Sequence, residues 1–326
     1  MTIRAFASAF MLAASSLMPI AVWSSGYAER PITFIAPFAP GSTTDAAARV
    51  LVQHMARKLG QPGVIDNKVG AGGTIGLTAG ARSKPDGHTL VFTGMSAHVL
   101  APLTMEGLQW DPVKSFAPIG QVAVVPQVMA VPATLPVKTL AEFVAYAKAR
   151  PGQLTHATLG PTTAPSLGMA LFQQRTGISM REIPYKSAAQ IYPDVASGRV
   201  DFVLDNLANA LPLIQSGKLR PLAVTTGERM EVLADVPTIS ESVLPGFKLT
   251  SWVGLVAPAG TPPEVVAEIS SALISALESP EYKQWLSKNG AQAPEAPGAK
   301  QFGALIESDL KMWRSAVELT GAKTPK

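Results

Sequence analysis

Hydrophobic and polar positions along this chain fall into blocks whose period switches between that of a strand and that of a helix. Residues 31–36 are a short apolar run, 45–59 place apolar residues at helical spacing up to Gly60, and 64–67 return to an extended pattern. They predict strand, helix and strand, a βαβ opening of the kind that builds α/β folds. A helix over 74–82, a turn at Lys84-Pro85-Asp86-Gly87 and a buried strand over 89–93 continue the series. Residues 110–119 read as loop. The apolar run 122–131 is interrupted by Pro126, which fits a crossing between two domains better than a simple central strand.

A second unit repeats the first. Thr139-Leu140-Ala141-Glu142 reads as a capping box whose helix ends at Pro151-Gly152, and 154–159 is a strand leading into Gly160-Pro161-Thr162-Thr163. Thr162, Thr163 or Ser166 can start the helix that runs through Phe172. Residues 181–185 and 200–204 are strand-like around a helix over 188–197. Strands over 219–225 and 250–256 follow, with a capping box at Thr238-Ile239-Ser240-Glu241 between them. Thr261-Pro262-Pro263-Glu264 predicts a Thr261 cap, Ser279-Pro280-Glu281 starts another helix, and 302–320 form a long amphipathic terminal helix.

Two of the strand-to-helix corners carry candidate chemistry. Between Phe34 and Asp45 the chain turns through Pro37, Phe38, Pro40 and Gly41, and Ser42, Thr43 and Asp45 fall where the next helix has its unpaired N–H groups. One reading is plain helix capping by Ser42 and Asp45; the other is a corner that holds an anion. The corner from Gly160 to Ser166 offers the same choice.

Composition narrows the class. The 326 residues are 47% hydrophobic, enough for about two cored domains. Only 15% are charged, the net charge is +4, and the basic residues are scattered, which excludes the basic stripe that nucleic acid needs. Arg4 followed by an apolar run to Val22 and small residues near Gly26 to Ala28 reads as an export signal over 1–28, with a membrane anchor as the competing reading. The absence of cysteine excludes disulfides and thiolate chemistry and, with the signal, favours a bacterial periplasm.

Catalytic signatures are missing: no nucleophile elbow, zinc-protease helix, Walker loop or EF-hand loop occurs. Gly70-Ala71-Gly72-Gly73-Thr74-Ile75-Gly76 resembles a dinucleotide loop but places its third glycine one residue late, so a tight turn into a helix is expected and no cofactor is assigned. His98, with Ser96 just before it, follows a strand end where open α/β sheets bind ligands, and is a candidate contact as well as a candidate core residue. Asp201 and Asp205 flank one strand without forming an acid/base pair.

Several segments together resemble one family. They are Pro37-Phe38-Ala39-Pro40-Gly41 with Asp45, Asp66-Asn67-Lys68-Val69-Gly70-Ala71-Gly72-Gly73, Pro85-Asp86-Gly87-His88-Thr89-Leu90 and Phe116-Ala117-Pro118-Ile119. Ala147-Lys148-Ala149-Arg150-Pro151-Gly152, Ile183-Pro184-Tyr185-Lys186, Ser216-Gly217-Lys218-Leu219-Arg220, Val236-Pro237-Thr238 and Pro258-Ala259-Gly260-Thr261-Pro262 follow in order. The chain resembles the Bug proteins, the TctC-like extracytoplasmic receptors of tripartite tricarboxylate transporters, along its whole mature length.

The resemblance implies an α/β, two-lobed periplasmic binding protein fold of type II, each lobe a mixed sheet flanked by helices, with two crossings. It implies domain 1 over 29–126 and 226–326, domain 2 over 127–225, and hinges near 127–131 and 222–226. A small carboxylate would lie between Phe38, Pro40, Gly41, Ser42 and Thr43 in one lobe and Thr158, Gly160, Thr162, Thr163 and Ser166 in the other, with Tyr185 and Asp205 nearby. The implied partners are the large and small membrane subunits of a transporter, or a sensor domain; the receptor would be a monomer without cofactor or metal. A secreted hydrolase or lyase using Asp205, His98 or a corner serine is the competing class. Ser42 replaces the family's second glycine, and Thr158, Gly160, Thr162, Thr163 and Ser166 replace its Ser-x-Gly-x-Gly-Ser-x-x-His pattern. Ser187 and Leu204 depart as well, so the familiar ligands do not transfer directly.

Overall fold

The computed structural model describes residues 29–37, 39–40, 43–160 and 163–320. The predicted signal segment and the site candidates Phe38, Gly41, Ser42 and Thr162 lie outside them.

The chain opens with β1 (Ile32–Ala36), α1 (Thr43–Leu59) and β2 (Gly63–Asn67), as its pattern predicts. Next come α2 (Thr74–Ala81), β3 (Thr89–Gly94), a π-helical turn (Ser96–Leu100) continuing into α3 (Ala101–Thr104), and β4 (Phe116–Pro132). The second unit contains α4 (Leu140–Lys148), β5 (Thr155–Thr158), α5 (Ala164–Thr176), β6 (Arg181–Pro184), α6 (Ala188–Ala196), β7 (Phe202–Asn206), α7 (Leu207–Gln215) and β8 (Leu219–Val224). It is followed by α8 (Ile239–Ser242), β9 (Thr250–Pro258), α9 (Pro263–Leu277), α10 (Pro280–Lys288) and α11 (Ala299–Thr320).

The strands order as β2-β1-β3-β9-β4-β7-β5-β6, with β8 also paired to β4. β4 belongs to both halves. Its first residues pair with β9 as far as Pro126↔Thr250, and from Gln127↔Asn206 onward it pairs with β7 and, from Val128, with β8. Pro126 has no N–H to give, and it stands at the residue where the strand changes partners, so the missing donor breaks no ladder there. The predicted loop 110–119 is cut short, because β4 already begins at Phe116.

Thr225 knits this seam. Its Oγ1 accepts from the Gln127 N–H at 3.0 Å, its own N–H donates to the Gln127 carbonyl at 3.0 Å, and its carbonyl accepts from the Leu249 N–H at 2.9 Å. Residues 226–249, expected with the first domain, make contacts with β8. The Val224 N–H donates to the Pro237 carbonyl, and Met230 and Val236 pack in one apolar cluster with Leu219 and Val224. β9 then begins at Thr250.

Side-chain periodicity explains the layers. On α1, Ala47, Ala48, Leu51, Val52, Met55 and Leu59 form one buried stripe against Phe34 of β1 and Val265, Ile269 and Leu273 of α9. α6 and α7 cover one face of the second half through Ile191, Val195, Leu207 and Leu211. The opposite faces of both halves share the largest cluster, which runs from Leu167, Phe172 and Leu204 through Leu249 to Trp252, Phe302 and Trp313. Each such large apolar side chain contributes about 1.5–3 kcal/mol by leaving water.

Two caps differ from their sequence reading. Thr261 does not cap α9: its hydroxyl donates back to the Pro258 carbonyl at 2.8 Å, and Pro262 takes the cap position. Glu142 does not close a box on Thr139, because its carboxylate accepts from the Lys138 N–H instead. The box at Thr238 and Glu241 forms with both of its bonds. Among the described residues no helix is long and apolar enough to cross a membrane.

Candidate ligand-binding site

The registers bring strand ends together. Gly94 at the end of β3 and Ala123 of β4 both face Val253, while Asn206 at the end of β7 faces Gln127. β3 runs parallel to β4 and β7 runs against it, so the two C-terminal ends approach each other from opposite sides. Along β4 their registers differ by four residue steps, about 13 Å of extended chain, with β9 lying between β3 and β4. Carboxyl ends of strands are where open α/β sheets bind ligands. Pro40, Thr43 and Ser96 in the first half, and Thr158, Gly160, Thr163, Ser166, Tyr185 and Asp205 in the second, all lie at the ends of β1, β3, β5, β6 and β7 or in the segments that follow.

The first corner is braced from behind. Asp45, 1% exposed in the first turn of α1, accepts from Arg49 Nε at 2.8 Å and from Asn67 Nδ2 at 2.8 Å. Asn67 is the last residue of β2, so this bond ties the start of α1 to the neighbouring strand end. The glycine loop packs beside it. Gly70, Ala71, Gly72 and Gly73 all take positive φ, with Ala71 at 46°, and Gly73 becomes the cap residue of α2. A Cβ on Gly76 would lie 2.9 Å from Pro37 Cβ, so the glycine there permits α2 to press against the corner. The tight turn into a helix is what this loop builds.

Ser96 is half-buried at the end of β3, but His98 turns inward. Its ring is enclosed by Trp110, Phe116 and Trp252 at centroid distances of 5.1–6.3 Å, and Nε2 lies 2.7 Å from the Pro112 carbonyl. Burial depresses its pKa to about 4, against the opposing pull of that carbonyl, so the ring is neutral at pH 7. The arrangement separates His98 from the strand-end candidates and makes it part of the core under them.

At the second corner the hydroxyls are spent on the loop. Thr158 Oγ1 donates to Ser166 Oγ at 3.0 Å and accepts from the Gly160 N–H at 3.1 Å, while Thr163 Oγ1 donates to the Gly160 carbonyl at 3.0 Å. Gly160 allows this turn with φ of 110°. Thr163 is the cap residue of α5, yet its side chain makes no cap bond. The same holds for Ser187 before α6 and Asn206 before α7. By contrast, Thr139, Thr238 and Ser279 each cap their helices, α4, α8 and α10, which do not start at these strand ends. Among the described residues the three helices that begin at the seam of the second half thus present N-termini without side-chain caps, as α9 does elsewhere, and their dipoles favour negative charge there.

Tyr185 and Asp205 are held by their own helices. Tyr185 donates to Asp194 at 2.7 Å, and burial together with that carboxylate pushes its pKa up to about 12. Asp205, 3% exposed, accepts from Tyr192 Oη at 2.8 Å, from Asn209 Nδ2 at 3.0 Å and from the Asn206 N–H at 2.8 Å. Burial raises its pKa nonetheless, outweighing the three donors. Sequence reasoning missed Tyr192 and Asn209. Their spacing from Asp205 carries no motif, and only the packing of α6 and α7 on β7 brings them in. Among the described residues no cluster of three or more His, Asp or Glu is arranged to hold a metal.

Two α/β halves joined through a shared strand, with strand ends meeting at the seam, define a periplasmic binding protein fold. The chain belongs to the tripartite tricarboxylate transporter receptor family, whose profile matches residues 47–321. It is 34% identical over 298 residues to protein BugT of Bordetella pertussis, covering 91% of each chain. Two solved structures from Rhodopseudomonas palustris are similar. MatC with bound malate shares 31% identity at a TM-score of 0.76, over 89% of this chain and 100% of that one. A protein solved with adipate shares 32% at 0.78, over 92% and 99%. Proteins of this family are periplasmic solute-binding receptors and not enzymes.

Proposed function

We propose that this protein captures a small organic carboxylate between its two halves in the periplasm and delivers it to a tripartite tricarboxylate-type transporter. The observation that carries the reading is that α5, α6 and α7 all start at the strand ends of the seam and, among the described residues, none of the three has a side-chain cap. Backbone N–H groups at helix N-termini solvate an anion without a fixed counter-charge, which permits both capture and release. The malate and adipate bound by the two relatives support the same chemical class.

In this reading Pro40, Thr43 and Ser96 meet the ligand from the first half and Thr158, Gly160, Thr163 and Ser166 from the second, while Asp205 and Tyr185 orient the loops. Residues 1–28 are removed on export. The halves are 29–126 with 250–320, and 127–249, closing about Pro126–Gln127 and Leu249–Thr250. The contact of α11 with α5 makes that closure a bend about a shared core.

A thermal-shift screen against organic acids tests the capture. A ligand at a hundredfold excess over Kd adds about 2.7 kcal/mol of stability, and no shift across a broad panel overturns the reading. The chain has no cysteine, so labels at Val69→Cys and Lys186→Cys report the distance across the halves, which must shorten when an acid binds.

A further inference from the structure

Two carboxamides face each other at the seam. Gln127 and Asn206 are register partners on β4 and β7, so their side chains leave the sheet on one face. That face is otherwise apolar: Met129 and Val131 continue it along β4, and Phe202 and Leu204 along β7. Gln127 is fully buried, and among the described residues neither its Oε1 nor its Nε2 has a hydrogen-bond partner; the buried Oδ1 of Asn206 has none either. Unpartnered buried amides are disfavoured, and a protein keeps them where something else completes them. Asn206 ends β7 and precedes α7, at the place where the strand ends of both halves converge.

We infer that this pair is the innermost contact of the ligand site and that it selects a carboxylate bearing an O–H or N–H donor, a hydroxy or amino acid. The inference rests on the carboxylate reading above and follows from counting donors and acceptors. Gln127 Nε2 and Asn206 Nδ2 can donate to carboxylate oxygens, but Gln127 Oε1 and Asn206 Oδ1 only accept. A bare dicarboxylate at neutral pH also only accepts, so it leaves both oxygens unanswered. A hydroxyl or ammonium group beside the carboxylate supplies the donor. A site built to bond such a group discriminates strongly against the analogue that lacks it.

The test uses matched pairs, malate and aspartate against succinate, and lactate against propionate, titrated calorimetrically into the mature protein. The expected result is at least tenfold tighter binding of a donor-bearing acid than of its unsubstituted partner, weakened in Gln127→Met and collapsing to within about threefold in the double variant Gln127→Met, Asn206→Leu. Equal binding of both partners, or a preference that survives in the double variant, overturns the inference and leaves the carboxylate reading standing. No binding by any acid, extended to the broad panel, overturns both. A second arm needs no ligand. Gln127→Met and the smaller Gln127→Leu remove the unpartnered amide, so the Tm of the ligand-free protein rises in at least one of them; a fall in both shows that the amide already has partners and overturns the inference.

Discussion

Asn67 reaches from the end of β2 to Asp45 in the first turn of α1, its Nδ2 donating to Asp45 Oδ1 at 2.8 Å. The bond joins two consecutive βα units at the last pair of their ladder, Ala36 and Asn67, where the Lys68 N–H also donates to the Ala36 carbonyl, and Arg49 closes the other side of the carboxylate. Asp45→Ala removes the acceptor for both and is expected to cost about 2 kcal/mol in chemical denaturation. Arg49→Ala, whose side chain is half exposed, costs less than about 1 kcal/mol.

Gly76 presses α2 against Pro37. In Gly76→Ala the new methyl would stand 2.9 Å from Pro37 Cβ and 3.2 Å from the Lys68 carbonyl, neither of them the end of a flexible side chain. The expected loss is about 1–3 kcal/mol of stability. Because the displaced residue starts the first corner, acid affinity measured by calorimetry should fall as well. Gly72→Ala tests the other kind of cost: a Cβ there meets nothing within 4 Å, so its effect comes from the backbone φ of 65° alone and not from pressure on Pro37.

Thr158 holds the second corner with one hydroxyl acting as donor and acceptor. Thr158→Val keeps its shape but orphans the Gly160 N–H and frees Ser166, at about 1–2 kcal/mol. Thr158→Ser retains both bonds. An acid affinity that drops about tenfold in the valine variant and recovers in the serine variant identifies the loop geometry as the cause.

Asp309 of α11 accepts from Trp252 Nε1 at 2.7 Å, and burial raises its pKa from the ordinary 3.8 to about 6. The folded form therefore binds its proton more tightly than the unfolded form, and Asp309 makes stability fall as pH rises from about 4 to about 6. His98 acts in the opposite sense, because its pKa is depressed and the folded form resists protonation as pH drops from 6.5 towards 4. In Asp309→Asn the first contribution disappears. The variant's stability relative to the wild type should rise with pH across that window by up to about 3 kcal/mol, read from urea titrations at pH 4 to 7.

Much of the architecture was legible because period changes mark its elements. The βαβ opening and the break at Pro126 were visible in the apolar pattern, and the positions of the strand-end candidates followed from them. What stayed hidden depended on residues far apart in sequence. His98 looks like a strand-end ligand contact until Trp110, Phe116 and Trp252, from three separate segments, enclose it. Thr261 looks like a cap, but its hydroxyl prefers the carbonyl three residues back. The contacts of 226–249 with β8 carry no sequence signal either, since they combine a backbone bond with the packing of two isolated apolar residues, Met230 and Val236. The Gln127 amide, without a partner among the described residues, could not be read at all, because burial and partner count are properties of the packed chain.

Pro126 and Thr250 are partners in the same ladder, so the whole of 127–249 leaves and rejoins the first half at adjacent positions. Partners across antiparallel strands lie about 5 Å apart, a gap that a two-residue hairpin spans. The second half thus leaves and rejoins across one hairpin-width gap, yet it is no detachable graft, because Leu167, Phe172 and Leu204 share one apolar cluster with Trp252, Phe302 and Trp313 of the first half. A receptor assembled in this way has two neighbouring chain crossings but one core, so a change packed into the insert is felt by the strands that carry it.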